Sequence, residues 1–377
     1  MKVIHLSDIH LGKRVNGFSM IEDQKYILTK ILNILDSEKA DAVLIAGDVY
    51  DKSVPSTEAV QLFDDFLRRL ANRRIPTFII SGNHDSAERL SFGSSLIDLS
   101  GIHISPVFNG EIKPYILEDA YGKVNVYLLP FIKPVHVRAL FEDAEISDYT
   151  DAMKFVIDKI GLNTNERNII LSHQFITGAD RCDSEEISVG GTDNADVSVF
   201  DGFDYVALGH IHGPQKISRD TVRYCGTPLK YSFSECSHKK SVTVVELKEK
   251  GNVTVSTVPL EPIHDMREIK GNFEDITKKE NYENTNTDDY VRIILTDEND
   301  IPDVMNKIRC IYPNVMEVKY DNTRTRASVN LIELENIESK SNIDLFADFF
   351  EMQNGQPMTE EQQKIIEELF ERGKENE

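Results

Sequence analysis

The sequence contains no apolar run approaching the roughly 18 residues that a membrane-spanning helix needs. Its opening, Lys2-Val3-Ile4-His5-Leu6, reads as a strand rather than a basic leader with a long apolar core, so no signal peptide is expected. Cysteine is scarce. Cys182, Cys225, Cys236 and Cys310 make no C-x-x-C pair and no even framework, which argues against a disulfide scaffold and for reduced thiols in the cytoplasm. No internal repeat or low-complexity tract stands out. Positive charge is also short: the net charge is −22, and 13 Lys/Arg against 26 Asp/Glu from Glu268 onward place −13 of it in the last third. A chain this acidic is a poor binder of DNA on its own. Bound divalent cations would lower the excess in the first two-thirds.

What is present is ordinary for a globular protein, with 40% hydrophobic and 28% charged residues over a length that allows two or three domains. Ala42-Val43-Leu44-Ile45-Ala46 reads as a buried parallel strand ending in Gly47-Asp48. Such an ending puts a carboxylate at the carboxyl edge of a sheet, where open α/β folds bind ligands. Four more strand-like runs end in metal-ligand residue types. Val3 to Ser7 leads to Asp8-Ile9-His10, where residues two apart face one way. Thr77 to Ile80 leads to Ser81-Gly82-Asn83-His84-Asp85, Asn168 to Leu171 to Ser172-His173, and Tyr205 to Leu208 to Gly209-His210-Ile211-His212.

Apolar positions at helical spacing predict helices over 21–39, 56–72 and near 150–160, and the Gly- and Asp-rich stretch 178–197 predicts a surface loop. Segments 222–225, 241–246 and 253–256 are expected to finish the second of two sheets. Beyond Pro262, strand-like 290–295, a helix over 301–312 and strand-like 315–319 form a small β-α-β module. A polar linker from Glu335 to Lys340 then leads to two short helices with capping pairs Ser341/Asp344 and Thr359/Gln362. The expected fold is α/β. A two-sheet sandwich flanked by helices fills 1–262, a small α+β domain follows over 263–334, and a linker with a helical pair occupies 335–377.

Taken singly, each strand-end residue suits an ordinary turn. Five coinciding ends do not. Imidazoles and carboxylates with one amide oxygen are a ligand set for Mn, Zn or Fe. The set is too rich in nitrogen for calcium and lacks the thiolates of structural zinc. With His84 set aside, Asp8, His10, Asp48, Asn83, His173, His210 and His212 exceed what one ion needs. Two ions about 3.5–4 Å apart, bridged by a carboxylate, fit better and serve hydrolytic phosphoryl transfer.

The ordered series D-x-H, G-D-x-x-D, G-N-H-D, a lone H after a strand and G-H-x-H resembles the calcineurin-like metallophosphoesterase superfamily over roughly residues 1–260. The resemblance implies one metal on Asp8, His10, Asp48 and His212, and a second on Asp48 (bridging), Asn83, His173 and His210. It implies His84 as the acid that protonates the leaving oxygen, with the Asp51 carboxylate behind it fixing its orientation; Asp85 reads as structural. Within the superfamily, Ser7 to Gly12, Gly82 to Leu90, Gly209 to Gln215 and Gly226-Thr227-Pro228-Leu229-Lys230-Tyr231-Ser232-Phe233 resemble the SbcD family of Mre-type repair nucleases, over essentially the whole chain.

That closer resemblance implies a nuclease dependent on two Mn²⁺, with 3′–5′ exonuclease activity on duplex ends and endonuclease activity on single strands and hairpins. An SbcC-type ATPase would dock on residues 341–372, and 263–334 would cap the DNA. It also implies a homodimer through 56–72 and 86–99, giving a heterotetramer, although Leu62, Phe66, Leu90, Phe92 and Leu96 equally suit a core. Lys13, Arg14, Arg89 and Lys230 are compatible with a DNA backbone, or with scattered surface charge. A phosphomonoesterase or cyclic-nucleotide phosphodiesterase would use the same metals without needing the added domain and tail. A catalytically silent scaffold would have lost a ligand or His84, and none is lost.

Overall fold

Ala42–Ala46 is buried at every position, as a strand inside a parallel sheet must be. It lies in a six-stranded sheet ordered Val253–Pro259, Ser241–Leu247, Lys2–Leu6, Ala42–Ala46, Thr77–Ile80, Ile102–Ile104. The last four strands run parallel, and the first two add antiparallel. A second six-stranded sheet is ordered Gln215–Ile217, Arg219–Tyr224, Tyr205–Gly209, Arg167–His173, Gly122–Leu129, Tyr115–Asp119. Its four inner strands are parallel, and both edge strands pair antiparallel.

The segments 241–246 and 253–256 therefore do not finish the second sheet but extend the first, beside Lys2–Leu6. Ser241–Leu247 is buried at six of its seven positions, so it needs a neighbour on each side. Lys2–Leu6 and Val253–Pro259 supply both, whereas the matching edge of the second sheet is taken by the short Gln215–Ile217 hairpin strand.

Val3, Leu44, Phe78, Val126, Leu171, Ala207 and Val245 meet in one core cluster drawn from both sheets. Each fully buried Val, Leu or Phe side chain among them contributes about 1.5–3 kcal/mol. A second cluster packs Met153, Val156 and Ile157 of the helix Tyr149–Lys159 against Ile170, Val206 and Leu208. The helix Ile21–Glu38 buries Ile27, Leu28, Ile31, Leu32 and Leu35, and Thr57–Arg73 buries Phe63, Phe66 and Leu70 after a Ser56 cap that accepts from Ala59 N. Arg73 pairs with Asp36 to tie these two helices together. The stretch 86–99 forms two single-turn helices, Ala87–Leu90 and Ser94–Ile97, interrupted by Gly93 at φ +73°.

The computed structural model describes residues 1–182, 185, 193–326, 346, 347, 350, 358, 359, 362, 363 and 366. Contacts divide the chain into Met1–Arg267 and Glu268–Glu377. In the second unit Val291, Ile293, Leu295, Ile308 and Val315 form a separate core. Tyr290–Leu295 and Val315–Tyr320 pair in parallel, and the helix between them is shorter than expected, Val304–Arg309. Met266–Gly271 adds a third strand that the apolar periodicity does not indicate. Thr359 and Gln362 make a reciprocal cap, with Thr359 N donating to Gln362 Oε1 at 2.9 Å and Gln362 N to Thr359 Oγ1 at 3.3 Å. The Ser341/Asp344 cap, the linker, most of the helical pair over 341–372 and most of the loop 183–192 lie outside the described residues. Among the described residues no helix is long and apolar enough to cross a membrane, and no cysteine is in a disulfide.

Candidate metal centre

Because the inner strands of both sheets are parallel, their carboxyl ends gather at one edge. The loops after Lys2–Leu6 and Ala42–Ala46 stay bonded to each other past the strands: Asp8 N donates to Gly47 O, His10 N to Asp48 O and Leu11 N to Val49 O, at 2.8–3.0 Å. Side chains stitch further loops to this pair. His84 N donates to Asp48 Oδ1 at 2.9 Å, His210 N donates to Asp8 Oδ1 at 3.0 Å, and the His173 ring spans the sheets from Nδ1 to Ala46 O at 2.8 Å.

All seven candidate ligands converge. His10 Nε2 and His212 Nε2 are 3.2 Å apart, and both rings are buried. Asn83 Oδ1 lies 2.9 Å from His173 Nε2 and 3.0 Å from His210 Nδ1. Asp48 Oδ2 sits between these groups, 3.7 Å from His10 Nε2 and 3.3 Å from His173 Nε2. Asp8, His10 and His212 offer donor atoms within 4.8 Å of one another, as do Asp8, Asp48 and His173. His84 is the more open member at 18% exposure, with Nε2 4.0 Å from Asp48 Oδ2.

The backbone is strained where four of the candidate ligands sit. Asp8, His10, Asp48 and His210 take φ of 51°, 48°, 48° and 103°, a region that costs a non-glycine residue about 1–3 kcal/mol and concentrates at functional sites. The glycines beside them leave room. A Cβ at Gly82 would meet Asp48 Oδ1, and one at Gly209 would meet the Ala46 carbonyl and stand 2.7 Å from His173 Nδ1.

Electrostatics point to a cation. Burial pushes the Asp8 carboxyl up to about 6, against the pull of His173. Burial would raise Asp48 too, but the imidazoles of His173, His10 and His84 outweigh it and hold the carboxyl below the usual range. Burial would lower His173, yet the Asp48 charge carries it up to about 9. Burial keeps His10 well below its ordinary value and takes His210 down to about 3. A field that draws a proton onto His173 favours a divalent ion in its place. Converging imidazole nitrogens, two buried carboxylates and an amide oxygen are a donor set that fits such ions.

Asp51 differs from expectation. His84 Nδ1 donates to its main-chain carbonyl at 3.1 Å, while its carboxylate pairs with Lys13 Nζ at 2.8 Å. Asp85 clamps the loops, accepting from Val49 N, Tyr50 N and Gly82 N at 2.9–3.1 Å. Of the four basic residues, Lys13 and Lys230 are committed to Asp51 and Asp265, while Arg14 and Arg89 remain exposed.

Sequence reasoning missed three residues. Gln24 Nε2 donates to His10 O at 2.7 Å and its Oε1 accepts from Gly12 N at 3.0 Å; Tyr231 O–H donates to Ile9 O at 2.6 Å. Glu235, fully buried, meets His212 Nδ1 at 3.2 Å. Burial would raise Glu235, but His212 and Lys240 outweigh it and hold its carboxyl below the usual range. The available signal is a polar residue inside the buried face of a helix for Gln24, and the 226–233 segment for Tyr231.

The chain matches the calcineurin-like phosphoesterase family over residues 1–214 and the type 5 capsule protein repressor C-terminal domain over 262–354. It is 33% identical over 374 residues to the SbcD subunit of the SbcCD nuclease of Staphylococcus epidermidis, covering 98% of each chain. It is also 33% identical over 376 residues to the protein of the same name from Staphylococcus saprophyticus, again covering 98% of each. Among solved structures, a dimetal phosphatase from Danio rerio aligns with a TM-score of 0.43 at 13% identity, over 69% of this chain and 99% of that one.

Proposed function

This chain belongs to the calcineurin-like phosphoesterases, in the SbcD family of SbcCD nucleases, and from that premise we propose how it works as a metal-dependent DNA nuclease. The observation that carries the reading is the convergence of seven donor side chains, from five strand ends of two sheets, on one buried cluster. In this reading Asp8, His10, Asp48 and His212 hold one divalent cation, and Asp48, Asn83, His173 and His210 hold a second, with Mn²⁺ the proposed ion at both. Bound there, the cations would activate a water for in-line attack on phosphorus and neutralise the phosphoryl oxygens.

The protein's own groups do the rest. The Asp51 carbonyl only accepts, so His84 Nδ1 keeps its hydrogen and Nε2 becomes the position at which a proton is carried. From there the imidazolium would protonate the leaving sugar oxygen as the P–O bond breaks. Asp8 and Asp48 also accept the amides of His210 and His84, so the ligand loops stay in register before any ion arrives.

The finer assignments belong to the same proposal. The substrates are duplex ends, cut 3′–5′, and single-stranded or hairpin DNA. With a net charge of −22, much of the DNA affinity would come from an SbcC-type ATPase docked on residues 341–372. The module over 263–334 would cap the DNA. A homodimer through 56–72 and 86–99, where Phe92, Leu96 and Leu99 are exposed, would give a heterotetramer, working in the cytoplasm.

The test compares cleavage of end-labelled duplex and hairpin DNA with hydrolysis of p-nitrophenyl phosphate and its bis ester, in Mn²⁺, with His84→Gln as control. DNA cutting that His84→Gln abolishes, with negligible monoester turnover, is expected. Fast monoester turnover without DNA cutting, even with the ATPase partner added, would make the protein a small-substrate phosphatase.

A further inference from the structure

The segment from Gly226 to Glu235 contributes no candidate ligand, yet it packs against two of the ligand loops. Its last residue is the most constrained. Glu235 has no solvent exposure. Its Oε1 lies 3.2 Å from His212 Nδ1 and accepts from Tyr231 N at 3.4 Å; its Oε2 lies 2.5 Å from Lys240 Nζ and 3.3 Å from Thr227 Oγ1.

Lys240 directs its three hydrogens to Glu235 Oε2, to Thr227 Oγ1 at 2.6 Å and to the main-chain carbonyl of His212 at 2.9 Å. An ammonium with all donors used stays charged, and its partner stays a carboxylate, which can only accept. The hydrogen between Glu235 and His212 must then sit on Nδ1. His212 Nε2 is left with its lone pair directed at the cluster, 3.2 Å from His10 Nε2. The same pair of residues holds the main chain of His212 as well as its ring.

We propose that Glu235 is a positioning residue that fixes the Nδ1–H tautomer of His212, and with it the nitrogen His212 presents to a divalent cation. This inference rests on the metal-centre reading above. It makes a specific demand on the amide substitute. In Glu235→Gln the amide oxygen must face Lys240, which only donates, so the NH₂ turns to His212 Nδ1. The ring then moves its hydrogen to Nε2, the end that must be bare. Removing Lys240 as well frees the amide to turn its oxygen back toward His212 and Tyr231 N.

The experiment is calorimetric titration of the full chain with Mn²⁺ alone, without DNA, alongside thermal unfolding. Glu235→Gln is expected to bind Mn²⁺ about 10–100-fold more weakly than wild type while remaining folded. The double variant Glu235→Gln/Lys240→Met is expected to regain most of that affinity. Wild-type affinity in Glu235→Gln overturns the inference, and so does a loss the double variant fails to recover, which would mark a packing role. Should Glu235→Gln unfold by itself, Glu235→Asp must bind Mn²⁺ more tightly than Glu235→Ala, and equal affinities overturn the inference. A wild-type protein that takes up no Mn²⁺ would overturn the metal reading itself, a distinguishable result.

Discussion

His84 Nδ1 is bonded to the main-chain oxygen of Asp51, at 3.1 Å, and not to its carboxylate. A carbonyl survives every substitution except one that moves the backbone. Asp51→Ala should therefore keep His84 oriented while losing the Lys13 pair and the 3.9 Å approach of the carboxylate to His10 Nδ1, leaving kcat on DNA within about 10-fold of wild type. His84→Gln removes the proposed proton carrier and should lower kcat about 10²–10⁴-fold. Single-turnover cleavage of end-labelled duplex in Mn²⁺ checks both. A loss in Asp51→Ala as deep as in His84→Gln would return the orienting role to the carboxylate.

Gly82 and Gly209 are fixed by contact rather than by φ, since a Cβ at either would overlap Asp48 Oδ1 or the Ala46 carbonyl. The obstructing atoms are backbone and the carboxylate of Asp48, a proposed ligand held by the His84 amide, neither free to swing away. Gly82→Ala and Gly209→Ala should each destabilise the fold by about 1–3 kcal/mol and also weaken Mn²⁺ uptake. Thermal unfolding and calorimetric titration separate the two effects. Unchanged Mn²⁺ affinity in both variants would count against the tight ligand geometry.

The strand ends were legible in the sequence because apolar runs stop there at Ser or Gly beside ligand-type residues, and at three of the five ends Gly47, Gly82 and Gly209 are the residues that leave space for the candidate ligands. Which sheet Ser241–Leu247 joins was not legible. Its pattern states that it is buried, and the neighbour is chosen by whichever edge can flank it on both sides. Glu235 and Gln24 were missed for a related reason. A buried polar residue is explained only by partners far along the chain, such as His212 for Glu235 and the Ile9–Gly12 loop for Gln24. The Asp51 contact could not be read at all, because a main-chain oxygen leaves no mark in residue identity.

Acid stability should depend on a pair remote from the cluster. Arg167, 3% exposed, donates to both oxygens of Asp119 at 3.1 and 2.5 Å and holds that carboxyl below its ordinary 3.8. The folded value is depressed, so the stabilisation is complete above pH 3.8 and is lost as pH falls toward the folded value. At neutral pH, Asp119→Asn should cost about 1 kcal/mol, allowing for the 19% exposure of the aspartate. Urea melts of wild type and variant between pH 7 and pH 2 should converge toward the acid end. A gap independent of pH would remove the ion pair as the cause.

The apolar residues that suit either a dimer surface or a core separate in the structure. Phe66 and Leu90 are core, at 1% and 6% exposure, and Leu62 is half-buried, whereas Phe92 and Leu96 are 85% and 75% exposed, joined by Leu99 at 89%. The division falls between Leu90 and Phe92, and past Gly93 none of the residues of Ser94–Ile97 is buried. Three large apolar side chains open to water within eight residues are a recognisable interface signal. Phe92→Glu with Leu96→Glu should convert a dimer to a monomer in sedimentation equilibrium of the full chain at micromolar concentration. Its unfolding temperature should match that of the wild-type chain diluted to the monomer, because neither side chain contributes to a core within one chain. Phe66→Ala should do the reverse, costing about 3–5 kcal/mol of stability through the cavity it leaves. A wild-type chain that sediments as a monomer under these conditions would sink the dimer.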